Sequence, residues 1–221
     1  MGVSIVMAMT DWDACGQRLS AGMDALGISG PAAVRDRLIA YLRELTTWNA
    51  TYNLTAVRDP EAMVTRHLLD CLAVSDFVVG ANLADVGAGP GLPGLVLAIA
   101  RPRLAVTLVE SNRKKAAFLR HARRQLALDN VEVAQARVEA FKPAKKFDCV
   151  ITRAFASAGD TARGAGHLIA PGGRFVLMKG RDPAAEMEDL PLDFRHLATH
   201  AVTVPGLGAE RHVAILEPGL I

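Results

Sequence analysis

Asp85-Val86, at the end of a short apolar run, leads directly into Gly87-Ala88-Gly89-Pro90-Gly91, and Pro93 stands in the first turn of the helical stretch that follows. Glycines at such a place let a backbone approach a ligand closely, and the start of a helix offers free N–H groups. The pattern predicts a nucleotide-like ligand. The letters Gly89-Pro90-Gly91-Leu92-Pro93-Gly94 also satisfy the dinucleotide fingerprint G-x-G-x-x-G. In that fingerprint the first glycine follows the strand at once, whereas here the glycine next to the strand is Gly87. The register therefore favours G-x-G-x-G, with Gly87 and Gly89 facing the ligand.

Asp85 just before this loop, and Glu110 at the end of the next predicted strand, suit S-adenosylmethionine better than a pyrophosphate cofactor. That ligand carries cationic charge and no phosphate. Carboxylates at the carboxyl edge of an open sheet can pair with its ammonium group and accept hydrogen bonds from its ribose hydroxyls. Glu110 is the expected ribose acceptor. Both acids have a second reading, Asp85 as an exposed capping acid and Glu110 as an acid beside the next helix start.

The elements that must hold this loop follow from periodicity. From residue 81 short β-branched runs alternate with helical ones, which predicts a mostly parallel sheet with helices on both faces. Strands are expected at Leu83–Val86, Leu104–Glu110, Val131–Ala134, Phe147–Thr152 and Arg174–Lys179, and helices at about Pro93–Ala100, Asn112–Ala127 and Asp160–Ile169. Leu197–Val204 and His212–Leu216, separated by Pro205-Gly206-Leu207-Gly208, read as a closing antiparallel hairpin. Ahead of the sheet the pattern is helical. Residues 11 to 27 form one expected helix, and a second begins at Pro31 with apolar positions at Val34, Leu38, Tyr41, Leu42, Leu45 and Trp48. A third follows Asp59-Pro60-Glu61, which supplies an N-cap, a proline at the first position and an early acid. A turn-rich stretch, Asn49–Asp59, joins them. The expected division is a helical extension over 1–78 and a Rossmann-like domain over 79–221.

Composition bounds the rest. A chain of 221 residues buries roughly 70% of its unfolded surface, enough to fold without staples. Cys15, Cys71 and Cys149 are odd in number and far apart, so neither a disulfide framework nor a zinc knuckle is suggested, and a reducing cytoplasm fits. The longest apolar run, Leu92–Ala100, falls far short of the roughly 20 residues a membrane span needs. The start has no basic region or cleavage site of a secretory signal, and Met7 and Met9 are alternative starts. Net charge is only +2, but residues 101–124 hold eight basic side chains against one acidic. Arg113, Lys114, Lys115, Arg120, Arg123 and Arg124 recur on the helix after Glu110. Such a stretch is either a phosphate-facing patch or a solvated helix face.

Several ordered motifs together resemble one family. They are Trp48-Asn49 with Tyr52-Asn53-Leu54-Thr55, Arg66-His67 with Asp70, Asp85 through Gly94, Arg137-Val138-Glu139, Arg153-Ala154-Phe155-Ala156-Ser157, Lys179-Gly180 and Glu210-Arg211-His212. On these the chain resembles the bacterial RsmG methyltransferases, also called glucose-inhibited division protein B, which modify guanine N7 in 16S ribosomal RNA. The resemblance implies a class I methyltransferase fold, a seven-stranded sheet preceded by helices. It implies cofactor contacts at Gly87, Leu92, Val138, Glu139 and Arg153, with S-adenosylmethionine as donor and S-adenosylhomocysteine as product. It also implies 16S rRNA, in an assembled or assembling 30S subunit, as substrate. The departures are Ala88 where many members have threonine, Leu92 where many have phenylalanine, and Glu110 rather than aspartate.

Guanine N7 carries a free in-plane lone pair, so no general base is expected and no catalytic residue is assigned. Thr152-Arg153-Ala154-Phe155 has neither the Asn-Pro-Pro-aromatic motif of amino methylation nor a Pro-Cys nucleophile. Arg153 is expected to orient the guanine or the cofactor carboxylate, its other reading being a structural salt bridge. Phe155 is read as a surface for an extruded base or as core packing. His196 and His200 have metal-ligand spacing but no third partner, so no metal is expected, and His67 and His212 are read as structural. A single chain acting alone is the expected state. Three rivals remain: a nicotinamide-dependent oxidoreductase using the Gly89 register, a non-catalytic RNA-binding factor, and a small-molecule methyltransferase on the same fold.

Overall fold

The computed structural model describes residues 10–153 and 156–219. Phe155 lies outside the described residues, as do Met7 and Met9.

Helix α1, Trp12–Ala25, starts where the Asp11 carboxylate accepts from the amides of Asp13 (3.1 Å) and Ala14 (2.9 Å). Its buried side, Cys15, Leu19, Gly22 and Met23, has helical spacing. Helix α2, Ala32–Tyr52, follows Pro31 and buries Leu38, Tyr41, Leu42, Leu45 and Asn49. It runs one turn further than its hydrophobic pattern predicts and ends at Asn53, which takes the left-handed conformation (φ 50°) that asparagine tolerates. Asp59 caps α3, Pro60–Met63, by accepting from the Ala62 amide at 2.8 Å. The chain then widens into a π-helical turn over Val64–Leu69 before the short α4, Asp70–Leu72. Nothing in residue spacing announces that turn, which puts Arg66, His67 and Asp70 around one bend.

The seven strands are β1 (Asn82–Val86), β2 (Ala105–Val109), β3 (Val131–Ala134), β4 (Phe147–Arg153), β5 (Ile169–Lys179), β6 (Phe194–Ala201) and β7 (His212–Pro218). They lie in the order β3-β2-β1-β4-β5-β7-β6. The first five are parallel, and β7 runs antiparallel to both β5 and β6. Helices α5 (Gly94–Ala100), α6 (Arg113–Gln125) and α7 (Ala158–Ala165) make the crossovers. β5 begins earlier than predicted because Ile169 already pairs with Phe147. Pro171-Gly172-Gly173 bulges out before Arg174 rejoins opposite Cys149, with Gly172 at φ 75°. The expected helix over Asp160–Ile169 accordingly stops at Ala165 and closes in a 3₁₀ turn, Gly166–Leu168.

Period-two alternation sends Leu83, Cys149, Ile151 and Val176 to one face and Ala84, Val150, Phe175 and Leu177 to the other. The first face packs α5 and α6 together with α1 and α2, so Cys15, Leu42, Leu95, Phe118 and Ile151 belong to one continuous core. The second face packs Ala158, Ala162 and Ala165 of α7. Among the described residues no helix is long and apolar enough to cross a membrane.

Because the first core is shared, Leu42→Ala, at a site with no exposure, should destabilise the whole chain by about 2–5 kcal/mol in a single transition. Urea unfolding followed by far- and near-ultraviolet dichroism checks this. Separate melting of the helical segment would contradict it.

Candidate functional site

The carboxyl ends of β1, β4 and β5 open into a cleft of about 480 Å³. Gly87, Gly89 and Pro90 form one wall with Leu92; Asp70, Arg153 and Arg211 lie on another, and Lys115, Met178 and Lys179 complete it. Its size is that of an ordinary small-molecule pocket. Hollows of similar or larger volume occur between α1 and α2 (about 730 Å³) and beside α7 and β6 (about 800 Å³), but neither combines a glycine loop with converging charges at the strand ends.

The loop wall is held by groups from two distant parts of the chain, the end of β2 and α2. The Gly87 and Ala88 amides donate to the Val109 carbonyl (2.9 and 3.2 Å), which fixes the loop over the end of β2. Glu110 is buried and its carboxylate spans two elements, Oε2 accepting from the Gly89 amide (2.8 Å) and Oε1 from the Asn112 amide (2.7 Å). From α2, the fully buried Tyr41 donates its hydroxyl to the Pro90 carbonyl at 2.8 Å. Gly87, Gly89 and Gly91 have φ of 68°, 57° and 93°, in the region that favours glycine. A Cβ on Gly89 would meet only the Gly87 carbonyl oxygen, at 3.8 Å, so that face of the backbone is open to a ligand.

Asp85 does not line the cleft. It is fully buried under the loop, where Oδ2 accepts from the Gly94 amide at 2.8 Å and Oδ1 has no hydrogen-bond partner. It is a capping acid, but a buried one. Burial lifts its carboxyl to about 7, against the lowering effects of the Gly94 amide and the Arg153 charge. A Cβ on Gly94 would come within 2.7 Å of that carboxylate and 2.3 Å of Leu108, so only glycine lets α5 start this close to the sheet.

Across the cleft, Asp70 is buried and ion-paired twice, with Arg153 Nη1 (3.3 Å) and Arg211 Nε (2.7 Å). Arg153 Nη1 also donates to the Arg66 carbonyl at 3.3 Å. The salt bridge expected as the alternative reading of Arg153 is thus present, in a side chain that still lines the cleft. Lys179 Nζ donates to the Ala156 carbonyl (2.9 Å) and to Glu186 (2.7 Å). Behind Asp70, His67 is buried, with Nδ1 2.9 Å from the Arg66 carbonyl and Nε2 2.9 Å from the Thr55 hydroxyl. The carbonyl can only accept, so Nδ1 carries the proton and Nε2 accepts from Thr55. The Thr55 amide donates to Asn49 Oδ1 at 2.9 Å, which ties this network to α2. Burial, helped by the Arg153 charge, lowers His67 to about 4.

Gly87, Gly89, Leu92 and Arg153 are therefore brought together around the cleft, and Glu110 supports it from below. Val138 and Glu139 are not among its lining residues; they form a 3₁₀ turn after β3, where Val138 packs with the α7 core and Glu139 is exposed. Residue spacing assigns no site role to Asp70 or Arg211, and reads Tyr41 only as an apolar position of the second helix. Asp70 and Arg211 stood in motifs of the resemblance, but they are 141 positions apart and no local spacing connects them. On α6 the apolar face, Ala116, Phe118, Leu119 and Ala122, is buried, and the six basic side chains lie off it. Arg113, Lys114, Arg123 and Arg124 are exposed, Arg120 donates to Gln135 at 3.0 Å, and Lys115 reaches the cleft. Among the described residues none of the six is in an ion pair within 4.0 Å. His196 pairs with Thr199 (2.8 Å) and His200 packs on Phe77, and no cluster of three metal-ligating side chains occurs among the described residues. All three cysteines are buried and free.

Comparison with known proteins decides the family. The family model described as GidB, rRNA small subunit methyltransferase G, matches residues 35–214. The chain belongs to the GidB family. Similar relatives named ribosomal RNA small subunit methyltransferase G include that of Stenotrophomonas maltophilia K279a, 49% identical over 195 residues, 88% of this chain and 91% of the relative. That of Chromohalobacter salexigens is 50% identical over 198 residues, covering 90% and 95%. Among solved structures, TrmN from Thermus thermophilus has a TM-score of 0.54 at 22% identity, covering 71% of this chain and 53% of that one. The glycopeptide N-methyltransferase MtfA, complexed with S-adenosylmethionine, has a TM-score of 0.55 at 16% identity, covering 69% and 88%. These two show the fold: this GidB chain has the class I methyltransferase architecture.

The neutral His67 makes a prediction for acid stability. Between about pH 4 and 6.5 the unfolded chain binds a proton at this site and the folded chain does not. The contribution is therefore complete above pH 6.5 and is lost as pH falls toward 4, on the order of 3 kcal/mol in all. The stability gap between wild type and His67→Gln should narrow on acidification across that window. Urea titrations at several pH values check it, and parallel profiles would contradict it.

Proposed function

We propose that this chain transfers the methyl group of S-adenosylmethionine to N7 of a guanine in 16S rRNA of the small ribosomal subunit, releasing S-adenosylhomocysteine. The observation that carries the reading is the convergence, at the strand ends of a class I methyltransferase sheet, of an open glycine backbone and the arginine-flanked Asp70. Membership of a family of small-subunit rRNA methyltransferases supports the acceptor.

The residues fit the donor. Gly87 lines the cleft and Gly89 offers an open backbone face there, Leu92 an apolar contact, and Arg153 a guanidinium for its carboxylate. Glu110 is buried beneath the loop and not among the cleft's lining residues; its oxygens hold the Gly89 and Asn112 amides, and the ribose role is assigned to it by its place directly after β2. Val138 and Glu139 are assigned as cofactor contacts by the family resemblance, and their place after β3 is where an adenine edge would lie. When bound, the donor supplies an electrophilic sulfonium methyl. The chain's own part is to align the acceptor. Proximity and orientation supply up to about 7–11 kcal/mol in well-ordered systems. No proton need be removed from N7, so no general base is assigned, and Asp70, which lines the cleft, is given the role of holding Arg153 and Arg211 in place.

Arg113, Lys114, Lys115, Arg120, Arg123 and Arg124 are proposed as the phosphate-facing surface, continuous with the cleft through Lys115. A cytoplasmic reaction on the 30S particle by a single chain completes the reading. Residues 1–78 then serve as a helical extension that braces the glycine loop, and 79–221 as the catalytic domain.

A labelled-methyl assay on unmodified 30S particles and on naked 16S rRNA, with mapping of the product, tests this. Label at N7 of one guanine is expected; no transfer to either substrate would refute it. Arg153→Ala should bind S-adenosylhomocysteine roughly 10- to 100-fold more weakly, the value of a charge-assisted hydrogen bond. Unchanged affinity and turnover would remove Arg153 from the site.

Neutralising Arg113, Lys114 and Lys115 together should weaken rRNA binding and flatten its dependence on salt by about three contacts' worth of slope. Filter binding across a salt series measures this, and an unchanged slope would contradict the patch.

A further inference from the structure

Resting on the reading of rRNA as substrate, we propose that Tyr52, at the carboxyl end of α2, is a stacking platform for an unpaired nucleobase of that RNA beside the cleft. Tyr52 is the one aromatic among the large hydrophobic side chains exposed in the described residues, at 42% exposure; the others, Leu192 and Leu197, are aliphatic. Its ring is not loose. It packs against Trp48 (centroids 5.3 Å apart, 38° between planes), and Trp48 packs in turn on Phe118 (5.6 Å) and His121 (4.9 Å) of α6. Phe118 is fully buried, and His121 Nε2 is held by Glu44 at 2.6 Å. A ladder of rings therefore runs from the core to the surface and ends in Tyr52. An aromatic surface fixed in this way loses little freedom on binding, which favours stacking with any base.

The charge around it has the sign an RNA strand requires. Lys114 Nζ lies 5.9 Å from the Tyr52 ring centroid, and the next residue, Lys115, lines the cleft. Arg58, from the following loop, donates to Asn53 and to the Asn49 carbonyl (3.2 Å), placing a guanidinium on the same turn. Arg113, Lys114 and Lys115 occupy the first turn of α6, where no acid stands. Cations there oppose the helix dipole, so local stability does not explain them, whereas a polyanion alongside would. A single strand whose phosphates follow Lys114 and Lys115 into the cleft passes the Tyr52 ring, and a neighbouring base can stack on it.

The test compares wild type, Tyr52→Leu and Tyr52→Phe as full-length chains in filter binding to unmodified 16S rRNA transcript, with melting temperature and S-adenosylhomocysteine affinity measured alongside. Tyr52→Leu should bind the transcript roughly 5- to 100-fold more weakly, with melting and S-adenosylhomocysteine binding as in wild type. Tyr52→Phe should recover most of the affinity, because stacking needs the ring and not the hydroxyl. Wild-type affinity in Tyr52→Leu would overturn the proposal, as would equal losses in both variants or a loss matched by a fall in melting temperature. A wild-type chain that binds neither the transcript nor unmodified 30S particles would instead overturn the function on which the proposal rests; where only the particles are bound, the same comparison of variants is read on them.

Discussion

A run of five residues with three glycines has no preferred shape, and here its shape is imposed by buried side chains that it does not contain. Glu110 takes the Gly89 amide, Tyr41 donates to the Pro90 carbonyl, and Asp85 takes the Gly94 amide at the start of α5. Each contact is buried, so losing one partner would leave an unsatisfied polar group at a cost of about 1–3 kcal/mol. Those costs keep the backbone edge of Gly87 and Gly89 turned toward the cleft.

The same constraint explains why the helices ahead of the sheet are part of the site. Tyr41 reaches the loop from α2, and Asn49, on the same helix, anchors Thr55 and through it His67. His67 and Asp70 are held by the π-helical turn and α4, with Asp70 between Arg153 of β4 and Arg211 just before β7. A buried carboxylate shared by two arginines is poor evidence for stability, since desolvation offsets much of the attraction. Its clearer consequence is geometric: two guanidiniums from distant strands are fixed at one wall of the cleft. The rings of Trp48 and Tyr52 stand on the same carboxyl-terminal turns as Asn49, so one helix connects the loop, the ion pairs and the basic face of α6.

Much of this was legible in the residue order, and the exceptions have physical causes. Alternation of apolar runs located all seven strands, although β6 lies three residues ahead of its expected span, and the Asp59-Pro60 signal placed the start of the third helix to the residue, because strand period and helix capping are local effects. The place of Gly87 directly after β1, on which the glycine register is read, was legible too. What was not legible depends on contacts across the fold. The ends of α2 and β5 were misplaced because Asn53 tolerates a left-handed conformation and because Pro171-Gly172-Gly173 bulges within a strand instead of ending before one. Asp85 read as an exposed or ligand-pairing acid, yet it lies wholly beneath the loop, a position set by the close approach of Gly94. The partnership of Asp70 with Arg211, and that of Tyr41 with Pro90, join residues far apart in the chain and have no signature in spacing.

The central claim is that the glycine loop is shaped for S-adenosylmethionine and not for a pyrophosphate cofactor. Calorimetric titration of the purified chain with S-adenosylhomocysteine and, separately, with NAD tests it most directly. One-to-one binding of S-adenosylhomocysteine with no heat from NAD is the predicted result; saturable binding of NAD, or no binding of S-adenosylhomocysteine, would contradict it.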